Sequence, residues 1–179
     1  MTYIKEIIKS MEFLAKDSKA IFIGQSVKFS CNSIFNTLKT IPQKKKIELP
    51  VFEDVQMGLS TGLALQGFLP ITCYPRFDFF LLAFNQLINH LDKIKYMSDN
   101  TINLKIIIRV AVGAKKPLNG GPQHTQNYSK LLKNTLTEVS LIELKKAKEI
   151  FPIYKKIYKE KQKKAYILVE YSDLYDSKK

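Results

Sequence analysis

The chain has no tryptophan, and its 179 residues include only two cysteines, two histidines and two arginines. Cys31 and Cys73 stand alone, with neither metal-ligand spacing nor a disulfide framework. That usage fits a reducing, cytoplasmic compartment. His90 and His124 lie 34 positions apart, and no HExxH or paired CxxC occurs, so no intrinsic metal site is expected. Seven glycines and seven prolines are too few for a collagen-like or low-complexity chain. No apolar run approaches the ~20 residues of a membrane span. Met1 to Glu6 lacks the basic-then-apolar layout of a signal peptide. GxGxxG, GxxxxGK[ST] and GxSxG are all missing, which leaves generic nucleotide-binding and serine-hydrolase readings without a motif.

What is present is ordinary globular composition, 45% hydrophobic and 25% charged, at a length that suits one domain over residues 1–179. The net charge of +13 is the unusual quantity. Residues 115–164 hold 13 lysines against 4 acidic residues, whereas the last fifteen residues are net −1. A basic stripe is one signature of nucleic-acid binding. With arginine only at Arg76 and Arg109, bidentate base readout has little to work with. A solvated lysine-rich helix face is the favoured reading, and nucleic acid is not the expected partner.

Apolar spacing predicts a helix over Thr2 to Asp17 and a short buried strand at Ala20 to Ile23, closed by Gly24. Gln25 to Lys39 is part helix, part loop. A strand at Ile47 to Leu49 ends at Pro50, and a helix runs from Asp54 to Gln66. In that helix Gly58 and Gly62 share one face, where a neighbouring backbone could approach. Further strands are expected at Leu69 to Tyr74, Leu104 to Val112, Val139 to Ile142 and Ala165 to Glu170. Between them fall a long helix over Phe79 to Met97, a loop over Gly113 to Gln123 and a short helix near Thr125 to Asn134. A basic helix over Glu143 to Glu160 contains Pro152, which should bend or break it. This alternation describes an α/β three-layer sandwich around a mainly parallel sheet. Sites in such sheets gather beyond the carboxyl ends of the strands.

Three positions there carry chemical interest. Glu53 follows a strand and precedes a helix, beside Val51 and Phe52. A desolvated carboxyl in that place suits proton exchange with a ligand nitrogen, and an acid at a helix N-terminus is equally an ordinary dipole partner. The cluster Arg76 to Phe80 could offer an aromatic face for stacking or simply fill core. His124, in Gly120-Gly121-Pro122-Gln123-His124-Thr125-Gln126, could act as acid, base or anion donor.

Read in order, Leu49-Pro50-Val51-Phe52-Glu53 and Gly62-Leu63-Ala64-Leu65-Gln66-Gly67-Phe68-Leu69-Pro70 resemble the beta subunit of 2-oxo acid dehydrogenase decarboxylase components. That family stands with transketolase among the thiamine-diphosphate enzymes. The resemblance continues through Phe77-Asp78-Phe79, Ala83-Phe84-Asn85-Gln86, Tyr96-Met97-Ser98, Ile106-Ile107-Ile108-Arg109 and Gln123-His124-Thr125-Gln126, and closes at Leu168-Val169-Glu170 and Leu174-Tyr175.

The resemblance implies the pyrimidine-binding fold of these enzymes and, as cofactor, thiamine diphosphate. Glu53 matches the glutamate that hydrogen-bonds the aminopyrimidine and activates the cofactor, and Phe79 the aromatic that stacks on it. Val51 and Pro75 match edge contacts, and His124 a histidine facing the reacting carbon. The implied partner is an alpha-type subunit holding the diphosphate and Mg, in a dimer of such pairs. The implied substrate is a small 2-oxo acid. Two other readings remain: ketol or aldehyde transfer in surface-polysaccharide sugar synthesis, suggested by Ile23-Gly24-Gln25 and Pro75 to Ala83, and a non-catalytic scaffold subunit.

The departures are specific. Gly24-Gln25-Ser26-Val27 stands where the family commonly has Gly-Glu-Asp-Val, exchanging a carboxylate at the site for an amide. Glu143-Leu144-Lys145-Lys146 replaces a proline-rich turn. The Gly-Asp-Gly motif for diphosphate and magnesium is absent, and the chain stops where family members continue into a C-terminal domain.

Overall fold

The structure is a computed structural model that describes residues 2–30, 32–116 and 119–175. Cys31 lies outside them. The chain alternates helix and strand from the start: α1 (Tyr3–Ala15), β1 (Ala20–Gly24), α2 (Ser33–Leu38), β2 (Lys46–Glu48), α3 (Glu53–Leu65) and β3 (Leu69–Tyr74). It continues with α4 (Phe77–Phe80), α5 (Ile94–Met97), β4 (Ile106–Val112), α6 (Ser129–Thr135), β5 (Ser140–Glu143), α7 (Ala147–Lys159) and β6 (Ala165–Tyr171). The six strands form one sheet in the order β2-β1-β3-β4-β6-β5. Every pairing is parallel, from Gly24 opposite Cys73 to Val112 opposite Tyr171.

A parallel sheet is covered on both faces, so its central strands are apolar throughout rather than alternating with polar residues. β4 shows how the two faces divide. Ile107 and Ala111 join Tyr3, Ile7, Met11 and Leu14 of α1 and Ile150 and Tyr154 of α7. Ile106, Ile108 and Val110 join Met57 of α3 and Phe77 and Phe80 of α4 on the other side. The three-layer sandwich read from the sequence is therefore present, with a sheet that is wholly parallel.

Arg109 occupies a β4 position on the α1/α7 face and is fully buried. Its guanidinium grips Glu170 of β6 through two bonds, Nε to Oε1 at 2.6 Å and Nη2 to Oε2 at 2.9 Å. Nη2 also donates to Thr37 Oγ1, and the Tyr154 and Tyr175 hydroxyls donate to the same carboxylate. A buried ion pair of this kind is tolerated because its remaining polar atoms are hydrogen-bonded.

The long helix expected over Phe79 to Met97 is broken. A 3-10 turn at Leu81–Ala83 and a π-helical turn at Gln86–Leu91 separate α4 from α5. Apolar spacing shows a buried helical face but does not show the winding. The wide π turn goes with an inward Asp92, which is fully buried. Its carboxylate accepts backbone N–H bonds from Thr137, Glu138 and Val139 and pins the approach to β5. Pro152, by contrast, sits inside α7 without ending it. The carbonyl it leaves without a helical partner belongs to exposed Lys148, where water can serve instead. Gly62 is exposed, with nothing within 4 Å of where its Cβ would stand, and Gly58 faces only the Gln86 side chain. Among the described residues, no backbone packs on that glycine face.

Candidate functional site

The topology separates the connections that follow β1 and β3. After β1 the chain turns to α2 on the α1/α7 face, while after neighbouring β3 it turns to α4 on the opposite face. Adjacent parallel strands whose connections leave in opposite directions create a cleft beyond their carboxyl ends. Gly24 ends β1 there with φ +147°. A Cβ at this position would stand 2.4 Å from the Cys73 carbonyl oxygen and 3.0 Å from Gln56 Nε2. Glycine thus lets β1, β3 and α3 converge.

The Gln56 side chain of α3 uses that space to donate to Thr72 Oγ1 at 2.8 Å and to the Cys73 carbonyl at 3.1 Å. The turn after Gly24 is held by Glu48 at the end of β2. Its carboxylate accepts the backbone N–H groups of Ser26, Val27 and Lys28. This three-amide cradle fixes Gln25, which is 9% exposed, over the cleft.

Glu53 is the first residue of α3 and is 1% exposed. Its Oε1 accepts from Gln25 Nε2 at 2.9 Å. Its Oε2 is buried with no hydrogen-bond partner among the described residues. Leaving such an oxygen unpaired costs about 1–3 kcal/mol or more, and active sites are where such costs are tolerated. The Tyr74 hydroxyl at the end of β3 donates to the Glu53 carbonyl at 3.4 Å. Burial pushes the Tyr74 phenol well above its ordinary range, so this hydroxyl stays a proton carrier.

Phe79 and His124 meet, the rings edge-to-face with centroids 5.5 Å apart. His124 Nδ1 lies 3.0 Å from the Gly120 carbonyl. A carbonyl can only accept, so in this bond Nδ1 carries the proton and Nε2 is left for another partner. Two further contacts seat the histidine loop against the end of the sheet. The Gln126 N–H reaches Asp78 Oδ1 at 3.4 Å. A Cβ at Gly113 would lie 1.8 Å from the His124 carbonyl oxygen. Pro75 is buried directly after β3, whereas Val51 is 76% exposed on the rim. The described contacts therefore form two groups at the same end of the sheet, Glu53 with Gln25 and Tyr74, and Phe79 with His124.

Phe52 and Val55 at the cleft end of α3, Leu59 and Leu65 further along it and Leu82 beyond α4 are exposed apolar side chains. Exposed apolar residues grouped on one helix are candidates for an interaction face.

No family model matches the chain. Curated proteins do. The chain is 29% identical over 132 residues to the pyruvate dehydrogenase E1 component subunit beta of Cyanidium caldarium, covering 70% of this chain and 39% of that protein. Against the same subunit of Rickettsia conorii the identity is 31% over 121 residues, covering 66% and 36%. With the 2-oxoisovalerate dehydrogenase subunit beta of Bacillus subtilis it is 27% over 139 residues, covering 75% and 42%. The chain is thus similar in sequence to beta subunits of 2-oxo acid dehydrogenases. A solved structure described as a split gene transketolase, inactive beta4 tetramer, shares the fold with TM-score 0.68 and 17% identity, covering 94% of this chain and 49% of that one. The chain spans well under half the length of the curated relatives.

Glu53, Phe79, His124 and Pro75, the positions singled out in the sequence, stand at the carboxyl end of the sheet. The Gln25 contact with Glu53 was not, because it joins positions 28 apart through the meeting of β1 with α3. The Glu48 cradle and the Gln56 clamp were missed for the same reason. The available signal was Gly24, a glycine at a strand end followed by two polar residues.

Among the described residues no cluster of His, Cys, Asp and Glu could hold a metal ion, and no helix is long and apolar enough to cross a membrane.

Proposed function

We propose that the chain forms the pyrimidine side of a thiamine-diphosphate site, shared with an alpha-type partner, in an enzyme that decarboxylates a small 2-oxo acid. The observation that carries this is the orphaned Glu53 Oε2, a buried carboxylate oxygen with no hydrogen-bond partner among the described residues. It fits a ring nitrogen of an aminopyrimidine, which would complete its hydrogen bonding. When bound, the cofactor supplies the electron sink for cleaving the bond next to the 2-oxo group.

This chain's own residues perform four tasks. Glu53 exchanges a proton with the ring nitrogen through Oε2, while the Gln25 amide holds Oε1 and fixes the carboxyl plane. Phe79 offers its ring for stacking, steadied by the edge contact with His124. His124, with Nδ1 committed to Gly120, leaves Nε2 to hydrogen-bond the substrate's carboxylate or carbonyl, as donor when that nitrogen carries a proton. Pro75 and Val51 line the edges. The site's remaining wall, the diphosphate and the Mg belong to the partner, whose docking face is the apolar surface of α3 and Leu82. Residues 1–179 act as one pyrimidine-binding domain in this arrangement, and pairs of such chains associate further.

Calorimetry of thiamine diphosphate with the reconstituted pair tests the reading. Wild-type pairs should bind and turn over a 2-oxo acid, and Glu53→Ala pairs should lose turnover by 100-fold or more, on the order of 3 kcal/mol. Binding and turnover that ignore Glu53 would identify a scaffold subunit instead.

A further inference from the structure

The amino end of the sheet, opposite the Glu53 crevice, carries a recess of about 350 Å³. Its construction follows from the parallel topology, which brings the segments leading into β1, β4 and β6 to one edge. Lys19 immediately precedes β1, Lys105 immediately precedes β4, and Lys161 and Lys163 lie in the turn before β6. Phe68, 41% exposed, and the half-buried Tyr158 at the end of α7 supply aromatic wall.

Positive charge exceeds negative here, with Lys19, Lys105, Lys161 and Lys163 lining the recess against the single carboxylate of Asp17. Asp17, the one carboxylate in the lining, has Oδ1 taken by the backbone N–H of Lys19 at 2.8 Å and Oδ2 by the Tyr158 hydroxyl at 3.2 Å. Nearby Glu160 accepts from the Tyr166 hydroxyl. Lys105 donates to the Tyr158 and Glu160 carbonyls at 3.0 and 2.6 Å, which locks its ammonium at the edge of the recess. None of the four ammonium groups makes an ion pair among the described residues. Burial lowers the Lys105 pKa, Glu160 and Asp17 counter this, and the charge of Lys163 adds to the lowering. Like charges crowded in a concave, partly dry site focus the field and draw an anion of matching size. The volume lies within the range of small-molecule sites, about 300–1,000 Å³.

We propose that this recess binds a nucleoside phosphate, with the phosphates on Lys19, Lys105, Lys161 and Lys163 and the planar base against Phe68 and Tyr158. The aromatic wall favours a ring-bearing anion over a bare one, and a volume of about 350 Å³ suits a small molecule. The inference stands apart from the reading of Glu53, since the two sites lie at opposite ends of the sheet.

Titration of the full chain with ADP by calorimetry, at low and moderate salt, tests it. Saturable binding should appear and weaken with salt. The exposed pair Lys161→Glu and Lys163→Glu should weaken it at least tenfold, and Phe68→Ala should weaken it severalfold. Glu53→Ala should leave it unchanged. Absence of binding at millimolar ADP, or binding indifferent to the lysine pair, would overturn the proposal. Loss of ADP binding in Glu53→Ala would overturn it by moving the ligand to the other end of the sheet. Tighter binding of a single-stranded oligonucleotide than of ADP would overturn it in favour of a nucleic-acid surface.

Discussion

The Gln25 amide holds Glu53 by one oxygen at 2.9 Å and leaves the other buried and, among the described residues, unpaired. Two residues separated by 28 positions thus make a half-satisfied carboxylate. Removing the amide would leave both oxygens without a protein partner. Gln25→Ala is expected to destabilise the chain by about 1–3 kcal/mol, read by urea denaturation. The accompanying Glu53→Ala, Gln25→Ala pair should recover most of that loss, because the uncompensated carboxylate is then gone.

Gly24 is expected to be intolerant of any side chain. Alanine there meets the Cys73 carbonyl oxygen at 2.4 Å with φ at +147°. Gly24→Ala should cost about 3 kcal/mol or more through strain and displaced strands. Thermal unfolding reads this loss, and exposed controls such as Gly62→Ala should not show it.

The Arg109–Glu170 pair predicts a sharp asymmetry. Both partners are fully buried, and the Glu170 charge with burial holds the Tyr154 and Tyr175 phenols far above their ordinary range. Glu170→Ala leaves an unpaired guanidinium in the core and should cost about 3–5 kcal/mol. Replacing both partners by apolar residues of similar volume should cost markedly less than that single change. Denaturant midpoints of the three proteins make the comparison.

Asp92 and Glu143 give the chain an acid-sensitive limb. Burial opposes charge on Asp92, but bonds from Lys93 and the backbone N–H groups of Val139, Thr137 and Glu138 overcome it and hold the carboxyl down at about 2. Glu143 is likewise held at about 2, burial being outweighed by Lys133, Tyr171 and Lys145. Both folded-state values lie below the ordinary 3.8 and 4.5, so the unfolded chain takes up protons first as pH falls. The stabilisation is complete above about pH 5 and should disappear progressively toward pH 2. Asp92→Asn should flatten part of that limb while lowering stability at pH 7, as followed by denaturation across the pH series.

The distribution of legible and illegible features has a physical basis. The isoleucine run of β4 and the glycine-bounded β1 announce buried parallel strands because burial on both faces forces continuous apolar sequence. Helix α1 announces itself by spacing. The region after β3 does not, since Phe79 to Met97 has a helical apolar face whatever its winding, and the π turn depends on Asp92 reaching amides 45 to 47 residues away. At the site, Glu53 and His124 are visible as ionisable residues in loops after strands. Gln25, Glu48 and Gln56 act only through partners brought close by the sheet. The lysines of the amino-end recess are scattered from 19 to 163, and in the sequence they merge into a general basic excess.

Thiamine diphosphate binding and turnover by the reconstituted pair, compared between wild type and Glu53→Gln, decide whether Glu53 Oε2 carries the proton. The carboxamide has nearly the shape of the carboxyl but cannot exchange the proton at Oε2. Turnover of a 2-oxo acid should therefore fall by at least 100-fold while the pair still assembles. Full turnover in Glu53→Gln, with cofactor binding unchanged, would contradict the account.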